Sequence, residues 1–148
     1  MDETEQHEHL IEAGLELHES RRYAEALPYF ERSFASTPNC VAAKYNLANT
    51  LHMLDRDHEA SSILLELLET SNETFLTGCP LQEDPRPFKL DALFLLFLTT
   101  LSDTENWEMA YRFAQQHLES RSDDVDSVWS NKDVQTQIES LKCEYESE

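Results

Sequence analysis

The pattern that most narrows the fold of this chain is a repeat. A shift of 34 residues lays Gly14 on Ala48, Leu17 on Leu51, Ala26 on Ala60 and Phe30 on Leu64. A fixed period of that size marks a stack of like units, none of which buries its apolar face alone. A further shift of 50 residues carries Ala48 to Leu98, Leu51 to Leu101, Ala60 to Ala110 and Leu64 to Ala114, which is 34 plus an insertion of 16. Inside each unit apolar residues return at three and four, as in Leu47, Leu51 and Leu54, then Ile63, Leu64, Leu67 and Leu68. That spacing predicts two short amphipathic helices per unit. They fall near 5–20 and 24–36, 40–54 and 58–71, and 89–102 and 105–119. Pro28 removes at most one early backbone bond of its helix, and Pro38 stands just past the end of it.

The inserted residues fall at 74–89 and include Gly78, Pro80, Pro85 and Pro87, which predicts a loop. Its apolar side chains, Phe75, Leu76, Leu81 and Phe88, are expected to fold back on the first helix of the third unit. That helix is apolar on nearly every side, with Phe94, Leu95, Leu96, Phe97 and Leu98 in succession. The seven-residue run Ala92–Leu98 is still far short of the ~20 residues that span a bilayer. After the third unit, residues 123–148 carry two apolar stripes: Val125, Val128 and Trp129, then Val134, Ile138 and Leu141. They predict a short helix and a longer one, with Asn131 as N-cap of the second, closing the exposed end of the stack or offering a surface for dimerisation.

Composition excludes several classes. With 40% hydrophobic residues in 148, the chain holds enough apolar material for one core and one domain over 1–148. Two glycines argue against many tight β-hairpins. Thirty acids against 11 Lys and Arg give a net charge of -19, which excludes a general nucleic-acid binder and disfavours anionic membranes. Cys40, Cys79 and Cys143 stand 39 and 64 residues apart, without the paired spacing of a zinc, cluster or redox motif, and are expected to be reduced thiols. His7 and His9 alternate on a helix and point apart, so no metal site is expected there. No nucleophile elbow, phosphate-cradling glycine loop or His-Glu-x-x-His occurs; the expectation is a non-enzyme without cofactor. The acidic first twenty residues lack a cationic n-region, and a cytoplasmic location is expected.

These residues resemble the tetratricopeptide repeat family, whose unit has a small residue in the middle of its first helix, Ala early in the second and Pro at the end. Gly14, Tyr23, Ala26, Phe30 and Pro38 carry the pattern in the first unit, Ala48, Leu51 and Ala60 in the second, Trp107 and Ala110 in the third. The third has bulky Leu98 at the small position, so its helices are expected to pack further apart or offset. The resemblance implies an all-α fold: three helical hairpins, at about 7–40, 41–74 and 91–122, in a right-handed α-solenoid with C-terminal capping helices at 123–148. It also implies protein binding in a concave groove lined by the first helix of each hairpin. Carried onto this chain, the groove positions are Glu8, Ile11, Leu15 and His18, then Tyr45, Asn46, Asn49, His52 and Met53, then Leu95 and Thr99. Asn46 and Asn49 suit a peptide backbone, while Tyr45 and Met53 offer apolar contact. The subtype that clamps a terminal carboxylate needs Lys and Arg where this chain has Ile11, Leu15, Ala92 and Leu96; of that set only Asn46 remains.

The expected function is therefore an adaptor or chaperone-like module for a basic or amphipathic protein segment. A chaperone of the type III secretion kind, which the chain resembles in size, acidity and repeat number, and a self-associating structural part, a homodimer included, are the alternatives.

Overall fold

The computed structural model describes residues 2–146. Its helices are α1 (Glu3–Glu19), α2 (Tyr23–Ser36), α3 (Val41–Met53), α4 (Asp57–Glu69), α5 (Asn72–Gly78), α6 (Pro85–Thr104), α7 (Trp107–Ser120) and α8 (Asn131–Glu146). The fold is an all-helical repeat stack. α1 pairs with α2, α3 with α4 and α6 with α7, and the pairs join where α2 meets α3 and α4 meets α6. α1, α3 and α6 also touch in sequence and so form one side of the stack.

Burial follows the helical period. α2 buries Ala26, Phe30 and Ser33, α4 buries Asp57, Ala60, Leu64 and Leu67, and α7 buries Trp107, Ala110, Ala114 and His117. Each is a single stripe. α3 and α6 are enclosed on most sides, and α6 accordingly carries the unbroken apolar run from Ala92 to Leu98. Ala26, Ala60 and Ala110 are all fully buried.

The turn inside each helical pair repeats with the same register as the side chains. Arg21, Asp55 and Glu105, spaced 34 and 50 apart, have φ of 61°, 61° and 56°. The Arg22 and Arg56 amides reach past them to the carbonyls of Leu17 and Leu51, each at 2.9 Å, and the Glu105 amide reaches Leu101, also at 2.9 Å. These bonds satisfy carbonyls left open at the ends of α1, α3 and α6. The left-handed residue is never glycine here, so the scarcity of glycine carries no information about these turns.

Helix proximity is preserved by exchanging sizes. Gly14 faces Phe30 in the first pair: a Cβ built on Gly14 would lie 2.7 Å from the Phe30 ring. In the same register the second pair has Ala48 with Leu64 and the third has Leu98 with Ala114. Ala114 is fully buried and shares its apolar cluster with Leu98. The bulky residue on one helix is thus met by a small one on the other, which supplies the room that was expected to require a wider or offset packing.

Two segments differ from the sequence reading. The stretch 74–89 is a loop only over 79–84. The Ser71 hydroxyl accepts from the Thr74 amide at 3.1 Å and starts α5, whose Phe75 is fully buried beneath the ammonium groups of Lys44 and Lys89. The Asp84 carboxylate accepts from the Arg86 amide at 3.0 Å and starts α6, with Pro85 and Pro87 in the first turn, where no backbone donor is lost. In the tail, residues 121–130 form no helix. Their positions are set by side chains: Trp129 lies edge-on to Phe94 at 4.9 Å, and Arg121 donates to the Trp129 carbonyl at 3.1 Å. Ser130, not Asn131, caps α8, accepting from the Asp133 amide at 3.0 Å. Val134 and Ile138 of α8 then join Phe94, Phe97 and Trp107 in one cluster.

Candidate functional site

On the side formed by α1, α3 and α6 lies an open cavity of about 360 Å³. α1 contributes Ile11 and Leu15; α3 contributes Ala42, Tyr45 and Asn46. The turn before α6 adds Glu83, and its first turns add Pro87, Phe88 and Asp91. Asp126, Ser127 and Val128 close the remaining side. That wall is held by Asp91, whose Oδ1 accepts from the Ser127 hydroxyl at 2.6 Å and from the Val128 amide at 3.3 Å. The floor is apolar, and Tyr45 and Phe88 meet edge to face at 5.8 Å.

Three carboxylates and no cation line this cavity. Burial pushes the Glu83 and Asp91 carboxyls above their ordinary range, and burial followed by the nearby Asp91 charge raises the Tyr45 hydroxyl. Two atoms are left over: the Tyr45 hydroxyl oxygen and Glu83 Oε2 are buried without any hydrogen-bond partner. Such orphans are costly in an apolar wall.

Of the groove positions expected from the sequence, Ile11, Leu15, Tyr45 and Asn46 come together in this cavity. His18, Asn49, His52 and Met53 lie toward the other end of α1 and α3. His18 packs edge-on to Tyr23 at 4.8 Å, with Asn49 Nδ2 at 3.5 Å from its Nε2, and burial lowers its pKa. His52 pairs with the Asp57 carboxylate, and Met53 is exposed. Glu8 is exposed as well. Leu95 and Thr99 offer no groove surface, which corrects the expectation for the third unit. Leu95 belongs to the central core, and fully buried Thr99 accepts from Ser61 at 2.8 Å. The 126–128 strap, together with Glu83, Pro87 and Phe88, stands where a third stretch of groove was expected, and the strap carried no sequence signal beyond its apolar positions.

A second constellation lies against the first and shares Ile11 and Ala42 with it. His7, Cys40 and Cys79 are all buried, and one ligand atom of each lies within 4.8 Å of the others. Spacing within the sequence gave no hint of it, because the three come from α1, the residue before α3 and the residue after α5. His7 Nε2 is 3.1 Å from Cys40 Sγ. The neighbouring thiols shift in opposite directions: Cys79 is lowered by Cys40 beside it, while Cys79 and burial push Cys40 above the ordinary thiol range. Cys143 is exposed and stands apart.

Among the described residues, no helix is long and apolar enough to cross a membrane. Residues 17–74, from the end of α1 into α5, match a tetratricopeptide repeat family model. No curated protein and no solved structure matched the chain. Tetratricopeptide repeats generally mediate protein–protein interaction and are typically non-enzymatic. Residues 17–74 are thus similar to tetratricopeptide repeats, and the paired helices and the turn between them recur in the same register from the first pair through the third.

Proposed function

We propose that this protein is a non-enzymatic adaptor or chaperone-like module that holds a basic, amphipathic protein segment in the cavity between α1, α3 and the 126–128 strap. The observation that carries this reading is the pair of orphaned oxygens, on Tyr45 and Glu83, set in an apolar cavity beside Asp91 and Asp126. An apolar side chain of the partner fits against Ile11, Leu15 and Phe88. A neighbouring Lys or Arg donates to Glu83 and offsets the local charge. An acidic segment brings further carboxylates to a site that already has three and is rejected.

The test is fluorescence anisotropy with two labelled peptides of equal length, each with Leu at the i, i+3, i+4, i+7 spacing of an amphipathic helix and the other positions filled by Lys in one and Glu in the other. The Lys peptide is expected to bind and the Glu peptide not. Leu15→Lys and Val128→Lys, both at solvent-accessible positions of the rim, are expected to weaken the Lys peptide by about tenfold or more, while melting like the parent protein. Equal binding of the two peptides, or full binding by both variants, refutes the proposal.

A further inference from the structure

The His7, Cys40 and Cys79 cluster has the makings of a ligand set. The Thr37 hydroxyl donates to the Ser33 carbonyl at 3.2 Å, so its oxygen is free to accept the His7 Nδ1 proton at 2.7 Å. The Ser33 hydroxyl stands 3.2 Å from the same nitrogen, and with the proton on Nδ1 the Nε2 lone pair faces Cys40 Sγ. A metal-binding histidine is held in just this way, with its far nitrogen donating to a fixed partner. Backbone amides near each sulfur favour its charged form, those of Ala42 and Ala43 at Cys40 and those of Leu81 and Gln82 at Cys79. Cys40 also sits at the N-terminus of α3, where it makes no side-chain capping bond and where negative charge is favoured. Two thiolates side by side among Ile11, Ala43 and Leu81 repel one another unless a cation lies between them.

We propose that His7 Nε2, Cys40 Sγ and Cys79 Sγ form a buried site for a thiophilic d10 metal ion, Zn(II) or Cu(I), that ties α1, the start of α3 and the end of α5 together. Donors bound to one such ion at ~2.0–2.3 Å stand about 3.5–4 Å apart. The observed spread, from 3.1 Å up to at most 4.8 Å, brackets that range. Soft sulfur donors select these ions over the oxygen-preferring Mg(II) and Ca(II). Entry displaces the two thiol protons to solvent, leaves His7 neutral, and changes no oxidation state. Among the described residues no further Cys, His, Asp or Glu joins the set. Full occupancy therefore involves three protein ligands, a number that Cu(I) accepts as it stands and that Zn(II) completes with one water.

The experiment uses the full chain carrying Cys143→Ser, which removes the exposed thiol, reduced and freed of metal under inert gas. Zn(II) is titrated against a chromophoric chelator and Cu(I) against a Cu(I)-selective one; the tighter of the two identifies the ion. One ion per chain is expected, with thiolate-to-metal charge-transfer absorption for Cu(I) and a higher melting temperature that a chelator reverses. Cys79→Ser and His7→Gln are expected to lose affinity by at least about tenfold while retaining the parent's far-ultraviolet circular dichroism. The stoichiometry of the parent chain decides the matter should either variant fail to fold. Failure of the reduced parent to take up either ion overturns the proposal, whether or not Cys40 and Cys79 close as a disulfide in air. So does unchanged uptake by a folded Cys79→Ser.

Discussion

Gly14 and Phe30 set the sign of a substitution that helix propensity alone would get wrong. A glycine inside a helix costs about 0.5–1 kcal/mol relative to alanine, so Gly14→Ala ought to stabilise α1. The new Cβ, however, falls 2.7 Å from Cε1 and Cζ of Phe30, a ring buried too fully to swing aside. Overpacking of this kind costs about 1–3 kcal/mol, so Gly14→Ala is expected to lower the melting temperature, and Phe30→Leu in the same chain to restore part of the loss. A melt at or above the parent's would show that the ring yields. His117 makes a second residue-scale prediction, in pH. It is fully buried, its Nδ1 proton donates to the Leu90 carbonyl at 2.7 Å, and its Nε2 accepts from Arg121 at 2.9 Å. Burial lowers its pKa from the ordinary 6.5, as it does for His7 and His18. As pH falls below 6.5 the unfolded chain takes up protons that the folded one refuses, so stability drops until the lowered pKa values are reached. Glu83 and Asp91, with raised pKa values, oppose the loss only toward the acid side. Melting temperature is expected to fall between about pH 7.5 and about pH 5.5, and less steeply in His117→Asn, which keeps a donor for Leu90. An equal slope in the variant assigns the effect to other groups.

At the level of elements, the recurring turn is a place where each repeat carries strain of the same kind. Asp tolerates the left-handed region better than Glu or Arg, because its short side chain bonds locally. Glu105, at φ 56°, is therefore the most improvable of the three turns after Arg21, and Glu105→Gly is expected to stabilise by about 0.5–1 kcal/mol. Asp55→Gly should gain less, and thermal melts of the two variants compare them directly. The elements themselves were legible for a related reason. The 34-residue offset brings together side chains that must be small, Ala26, Ala60 and Ala110, and only helical pairs in register bury all three. What failed was local chemistry at element ends. Pro85 and Pro87 look like breakers in the sequence, yet a helix starts readily on proline, and the seven residues of α5 are too short to show a period. A third of the cavity's lining was legible, through Ile11, Leu15, Tyr45 and Asn46. The rest depends on Asp91 pinning Ser127 and Val128 across 36 and 37 residues, and the Cys40 and Cys79 pairing spans 39; neither distance leaves a periodic trace.

For the molecule as a whole, charge acts on stability and on binding with opposite dependence on salt. A net charge of -19 on 148 residues repels itself in the folded state more than in the expanded unfolded chain. The bases offer little relief. Arg22 and Arg56 are spent on exposed pairs with Glu25 and Glu59, and Lys44 is buried beside Glu66. Raising salt from about 0.01 M to about 0.15 M shortens the screening length from ~30 to ~8 Å, so the melting temperature is expected to rise. Over the same range the association rate of the basic peptide is expected to fall, because the attraction that steers it is screened, while its dissociation rate, set by contacts inside the cavity, changes less. Stopped-flow association measured beside thermal melts separates the two roles of the acids. A melting temperature that rises while association stays constant identifies the charge as a surface property without part in recognition; a parallel fall of both means that the surviving ion pairs, not the repulsion, dominate the fold's electrostatics.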